Sequence, residues 1–203
     1  QFQRAIYLQP GYWPIHAYLY ELYAGQGRFD AAATEYRRVV ELAPDYVGGY
    51  TNLGSIAGSM GRNDLARDTF ERSLEVDDAS NYAAYSNLGT LYYGERRFAD
   101  AAAMFEKAVK IDDRDYRVWG NLAATLSFLE DPERAGEPYR KALELASAEL
   151  ETDQTNAELL CDMAGYYAVL GNREAGLDAL QTAIRLEPTA PTVLVDIVET
   201  FED

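Results

Sequence analysis

Apolar residues recur along the chain at intervals of three, four and seven. Trp119, Leu122, Ala123 and Leu126 form one such set, and this spacing places all four on one face of an α-helix. Breakers follow: Gly27, Gly61 and Gly171 close three of these segments, where a left-handed residue is useful, and Asp131-Pro132 closes a fourth by another route. A second helical segment then begins each time. Leu42-Ala43-Pro44 and Leu186-Glu187-Pro188 end two of these second segments, since proline cannot supply the next helical N–H. The pattern predicts helix pairs, a helix A followed by a helix B, along the whole chain.

The pairs repeat. Tyr50-Thr51-Asn52-Leu53-Gly54 returns as Tyr85-Ser86-Asn87-Leu88-Gly89 and as Trp119-Gly120-Asn121-Leu122-Ala123, so the period is about 34 residues. Ala66, Phe70, Ser73 and Leu74 match Ala101, Phe105, Ala108 and Val109, then Ala135, Tyr139, Ala142 and Leu143. Complete repeats are expected at 13–46, 47–80, 82–115, 116–149 and 157–190, in a single array over 1–203 with half repeats at 1–12 and 191–203. The chain starts at Gln1 and both ends fall inside a repeat, which predicts a piece of a longer protein. Leu150 to Asn156 interrupt the period; Ala142 to Leu150 holds strong helix formers, so an extended helix B is expected there.

These registers resemble the tetratricopeptide repeat over essentially the whole chain. Small residues stand at position 8 of a repeat (Gly54, Gly89, Ala123, Ala164) and at position 20 (Ala32, Ala66, Ala101, Ala135, Gly176), with large residues at 4, 7, 11 and 24. Small residues let the two helices approach, and large ones fill the space between repeats. His16 stands where the family prefers Trp, Tyr20 takes a small-residue position, and Asp78, Asp113 and Ser147 replace the terminal proline. The resemblance implies an all-α solenoid, a right-handed superhelix of antiparallel helix pairs. It is strongest to arrays in bacterial signalling proteins.

Composition narrows the function. With 34 acidic and 18 basic side chains the formal net charge is −16, and the only lysines are Lys107, Lys110 and Lys141. Such a surface repels nucleic acid and anionic membranes. The acid is uneven, with 13 acidic and 9 basic residues in 1–100 but 21 and 9 in 101–203. No apolar run reaches the roughly 20 residues of a membrane helix, and no signal peptide is visible. A cytoplasmic protein is expected, or an extracytoplasmic domain of a membrane-anchored signalling protein. One cysteine, Cys161, excludes an internal disulfide, and one histidine, His16, excludes sites needing two imidazoles. His16 occupies a core slot and reads as a packed, hydrogen-bonded side chain. Cys161 has no cation near it in sequence to activate it. Asp112-Asp113-Arg114-Asp115 lacks the spaced ligands and glycine of a calcium loop and reads as a solvated turn. No catalytic signature, cofactor site or metal site is expected.

In tetratricopeptide arrays the A helices line a concave groove, and the resemblance implies that positions 2, 5, 6, 9, 12 and 13 face it. The candidate binding residues are Asn52, Asn87 and Asn121 at position 6, with Thr51, Ser55, Ser86, Thr90, Tyr93, Arg117, Phe128, Tyr18 and Asp162. An amide carries both a donor and an acceptor, so a ladder of asparagines suits the backbone of an extended peptide. It resembles the ladder of O-linked N-acetylglucosamine transferases. Asn-Leu-Gly is also common consensus filler in this family, so a packing role stands beside the binding role. The carboxylate clamp of chaperone-binding arrays is absent apart from its asparagine, because positions 5 and 9 hold Ala17 and Glu21, Thr51 and Ser55, or Ser86 and Thr90. A protein or peptide partner with a neutral to basic extended segment is expected, held by Tyr18, Tyr93 and Phe128. The alternatives are a regulatory or substrate-docking domain cut from a larger enzyme and a scaffold that assembles end to end. The apolar Val193, Leu194, Val195, Ile197, Val198 and Phe201 favour continuation of the chain or self-association.

Overall fold

The computed structural model describes residues 2–187 and divides the chain into two compact units, 1–111 and 112–203. Eleven helices and no strand occur among the described residues. The first unit holds α1 (Phe2–Leu8), α2 (Pro14–Gly25), α3 (Phe29–Leu42), α4 (Val47–Ser59), α5 (Asn63–Val76), α6 (Tyr82–Gly94) and α7 (Phe98–Ile111). The second holds α8 (Tyr116–Phe128), α9 (Pro132–Thr152), α10 (Ala157–Val169) and α11 (Arg173–Leu186). From α2 onward they pair as helix A and helix B, all-α as the periodicity predicts.

One turn design joins every A helix to its B helix. Gly27, Gly61 and Gly171 have φ of 69°, 69° and 75°, and Arg96 (61°) and Glu130 (57°) hold the same left-handed conformation at the equivalent place. In the repeat of α4 and α5 the Arg62 N–H reaches back to Ala57 O at 2.8 Å and the Gly61 N–H to Gly58 O at 2.9 Å. These two bonds satisfy carbonyls that the helix end leaves open. Where no glycine is present, Arg96 and Glu130 bear the steric cost themselves. The Asp131-Pro132 breaker therefore acts after the left-handed residue: Asp131 caps α9, its carboxylate accepting from the Arg134 N–H at 3.1 Å.

Small residues at position 8 do what their size allows. A Cβ built on Gly54 would come within 2.5 Å of the Phe70 ring, and one on Gly89 within 2.6 Å of Phe105, so each B-helix phenylalanine packs on bare A-helix backbone. In the first repeat Tyr20 replaces the glycine, and Tyr36 meets its ring edge-on with centroids 3.9 Å apart. The buried face of helix A is wider than the sequence pattern indicates. Gly49, Ala84, Val118 and Leu159 at position 3, and Ile56 and Thr125 at position 10, are also buried. α4 is covered twice, by its own B helix and by the preceding repeat: Leu53 and Ile56 share a core cluster with Ala32, Ala33, Tyr36 and Val39 of α3.

The inserted residues lengthen one helix. α9 has 21 residues where α3, α5, α7 and α11 each have 14, so the extension runs past the expected repeat end at 149 and carries Leu150 into the cluster with Tyr116, Leu143, Ala146, Leu159 and Met163.

Candidate functional site

The first unit contains a cleft between neighbouring A helices. α4 and α6 lie side by side, and between them opens a space of ≈ 390 Å³ lined by Gly54, Ser55, Gly58, Ser59, Asn63, Ala66, Phe70, Asn87, Thr90, Leu91 and Gly94. None of these side chains is charged. Three of the predicted groove residues, Ser55, Asn87 and Thr90, are among them. The serine and threonine hydroxyls turn back onto their own helices: Ser55 donates to Thr51 O at 3.0 Å, Ser59 to Ser55 O at 3.0 Å, and Thr90 to Ser86 O at 3.1 Å. That habit spends the hydroxyl proton locally. Ser86, half-buried, contributes its carbonyl to this arrangement.

The asparagines of the expected ladder differ. The Asn52 amide donates to the Tyr36 hydroxyl at 2.5 Å. Burial pushes the Tyr36 phenol up to about 12, against the lowering effect of the Asn52 bond, so it is a neutral acceptor across the physiological range. Asn87 stands one repeat on, where the preceding B helix supplies Phe70, a ring with no hydroxyl, and its half-buried amide opens into the cleft. Asn121, in the second unit, is exposed.

Thr51 lies elsewhere than the groove positions of the sequence reading indicate. It is 8% exposed and its hydroxyl meets that of Ser73, which is 0% exposed, at 2.9 Å. Ser73 also accepts from the Asn81 amide at 2.8 Å and faces Val47 O at 3.3 Å, while the Asn81 carbonyl oxygen caps α6 through the Ala84 N–H at 3.1 Å. This buried node ties α4, α5 and the start of α6 together. Nothing in the periodicity marks it, because Ser73 aligns with Ala108 and Ala142 in the later repeats.

The remaining candidates do not line the cleft. Tyr18 is 62% exposed and Phe128 56%. Tyr93 sits edge-to-face with Phe98, centroids 5.6 Å apart. In the second unit the Arg117 guanidinium lies 4.6 Å from the Tyr116 ring centre, and Tyr116, 1% exposed, donates its hydroxyl to the Asp162 carboxylate at 3.2 Å. Asp162 occupies position 6 of its repeat. Burial raises its pKa first and Glu158 adds to the rise, against the Tyr116 bond and Arg117. Burial likewise raises the neighbouring Cys161 thiol, with Asp162, Glu187 and Glu158 adding to it, which leaves it a poor nucleophile.

His16 is 8% exposed, with Nδ1 2.7 Å from the Glu35 carboxylate. Asp112 is held by Arg114 through side-chain and backbone bonds and falls to about 2, the chemistry of a closed, solvated turn. Among the described residues no group of three or more His, Cys, Asp or Glu gathers to hold a metal ion, and no helix is long and apolar enough to cross a membrane. Val193 to Phe201 lie outside the described residues.

Family models described as tetratricopeptide repeat match residues 21–46, 46–114 and 86–149. The chain belongs to the tetratricopeptide-repeat family. Human protein O-mannosyl-transferase TMTC1 is 25% identical over 147 residues, 72% of this chain and 16% of that protein. Heat shock protein STI1 of Saccharomyces cerevisiae is 31% identical over 96 residues, 47% of this chain and 16% of that protein. The chain therefore spans about one sixth of each of these relatives. Among solved structures, YrrB, described as a TPR protein with an unusual peptide-binding site, superimposes with a TM-score of 0.63 at 19% identity, covering 98% of this chain and 97% of that one. The APC/C hetero-tetramer Cut9–Hcn1 gives 0.77 at 16% identity, covering 100% and 38%. At these identities the structural likenesses carry the fold, the tetratricopeptide solenoid.

Proposed function

We propose that this chain is a non-enzymatic protein-interaction module that binds an extended segment of another protein along its A helices. The observation that carries the reading is the uncharged cleft between α4 and α6 with the open amide of Asn87 at its wall. Polar groups placed on a recess need partners, and an extended backbone offers both a donor and an acceptor to an amide. The peptide-binding description of YrrB and the tetratricopeptide-repeat models that match this chain support it. The five repeats are proposed to act as one array, since the sequence register runs on from Asn87 to Asn121 at its 34-residue step. Asp162 and Glu158 favour a neutral to basic segment toward the C-terminal end.

A second reading, a docking domain belonging to a larger enzyme, is favoured by the match to a small part of a mannosyl-transferase. A peptide-array screen followed by Asn87→Ala and Asn121→Ala tests the groove: affinity unchanged in both variants places binding elsewhere, and the docking reading then stands or falls with the sequence that flanks this chain.

A further inference from the structure

We infer that the α4–α6 cleft is a selective subsite: it takes one uncharged aliphatic or aromatic side chain of the bound segment, while Asn87 holds that residue's backbone. This rests on the groove reading above and adds the chemistry of the occupant. Three observations converge. No lining residue is charged, so a charged side chain entering would lose hydration with no counter-ion in return. The Ser55, Ser59 and Thr90 hydroxyls have spent their protons on helix carbonyls, which leaves the amides of Asn87 and, at the exposed rim, Asn63 as the lining side chains with donors to offer. The apolar wall is the part-exposed Leu91, with the buried Phe70 ring and Ala66 behind it, and the exposed part of Leu91 gains by covering apolar atoms. A space of ≈ 390 Å³ is larger than one side chain and accommodates the backbone that bears it, and lies within the usual size range of ligand clefts.

The openness of the cleft comes from two glycines whose backbone does not need them. A Cβ on Gly58 would meet only the Ala66 methyl at 3.9 Å, and one on Gly94 would meet nothing within 4 Å. Neither has a positive φ. Both sit in helices, where glycine is a poor helix former. A methyl group at either position meets nothing closer than ordinary van der Waals contact, and a larger side chain is expected to fill the cleft that both glycines line. At Gly54, a few residues away, the glycine is a packing requirement, so the three positions separate fold from function.

The test uses the whole chain. Blocked random decapeptides displayed on phage are selected against it, and the selected peptides are measured by fluorescence polarisation on the protein, on Gly58→Leu and on Asn87→Ala, with thermal melts of each. The inference expects one position of the selected peptides to be restricted to aliphatic or aromatic residues. It expects Gly58→Leu to bind at least about tenfold more weakly at an unchanged or higher Tm, and Asn87→Ala to bind roughly three- to tenfold more weakly. Peptides that bind with charged residues at every restricted position, or that bind Gly58→Leu as tightly as the parent, overturn the subsite while leaving groove binding intact. Failure to select any peptide overturns the groove reading and the subsite with it.

Discussion

Asn52 and Asn87 occupy the same register position in successive repeats of one unit, carried by helices of the same length and with the same Asn-Leu-Gly sequence. The residue that the preceding B helix sets at position 24 differs by a single oxygen. The B helix before Asn52 ends its packing contact in Tyr36, whose hydroxyl accepts the amide at 2.5 Å; the B helix before Asn87 offers Phe70. In the second unit position 6 is Asn121 in one repeat and Asp162 in the next, and Asp162 accepts from the hydroxyl of Tyr116, which the preceding A helix α8 supplies. A repeat register assigns a side chain to a face. Whether that side chain is available to a ligand depends on what the neighbouring repeat places against it.

The largest effect is expected where the cleft and core meet. Phe70→Ala removes a ring that is 3% exposed and packed on Gly54, and should cost about 3–5 kcal/mol in chemical denaturation; a loss below about 1 kcal/mol would show that the ring is not the support of the cleft. Next comes the buried node. Ser73→Ala leaves Thr51 and the Asn81 amide without their shared partner and is expected to destabilise by about 1–3 kcal/mol.

Exchanging the deciding oxygen tests the comparison itself. Tyr36→Phe should cost about 0.5–1.5 kcal/mol and free the Asn52 amide, seen as faster amide exchange for that side chain by NMR. Phe70→Tyr should weaken peptide binding by giving Asn87 an internal partner; unchanged binding would mean that the two positions are not equivalent in space. A smaller gain is expected from the turns: Arg96→Gly and Glu130→Gly relieve left-handed strain, each raising stability by up to about 1 kcal/mol.

For Asp162 the expected sign follows from the direction of its shift. Burial raises its pKa above the unfolded value, so the folded state prefers the neutral acid, and that preference contributes fully below the unfolded pKa near 3.8 and is lost as pH rises through the folded value. Asp162→Asn should therefore melt higher than the parent at pH 7, with the difference shrinking toward pH 3. A constant difference across that range would exclude titration of this carboxylate as the cause.

Much of the fold is legible in the sequence. Apolar spacing marks every helix pair, and the seven residues inserted before Ala157 are absorbed by α9, as its helix formers suggest. The legible part of the site was its register and its lack of charge: Ser55, Asn87 and Thr90 do line the cleft. Thr51 was not legible. A threonine at a groove position carries no sign that a serine 22 residues later will meet it inside the protein, since the pairing depends on one repeat having Ser73 where others have alanine. The αL residues at Arg96 and Glu130 were equally hidden, because the sequence shows the breaker and not which residue turns.

The sequence by itself determined the repeat, the two-helix unit, the acidic surface and the neutral character of the central A helices, because each of these depends on local periodicity or on counting charges. Only the tertiary structure decided which polar side chains remain available. Hydrogen bonds are satisfied in three dimensions by whatever lies nearest, so Asn52 is bound to Tyr36, Thr51 to Ser73 and Asp162 to Tyr116, whereas Asn87, with Phe70 in place of the tyrosine, lines the cleft.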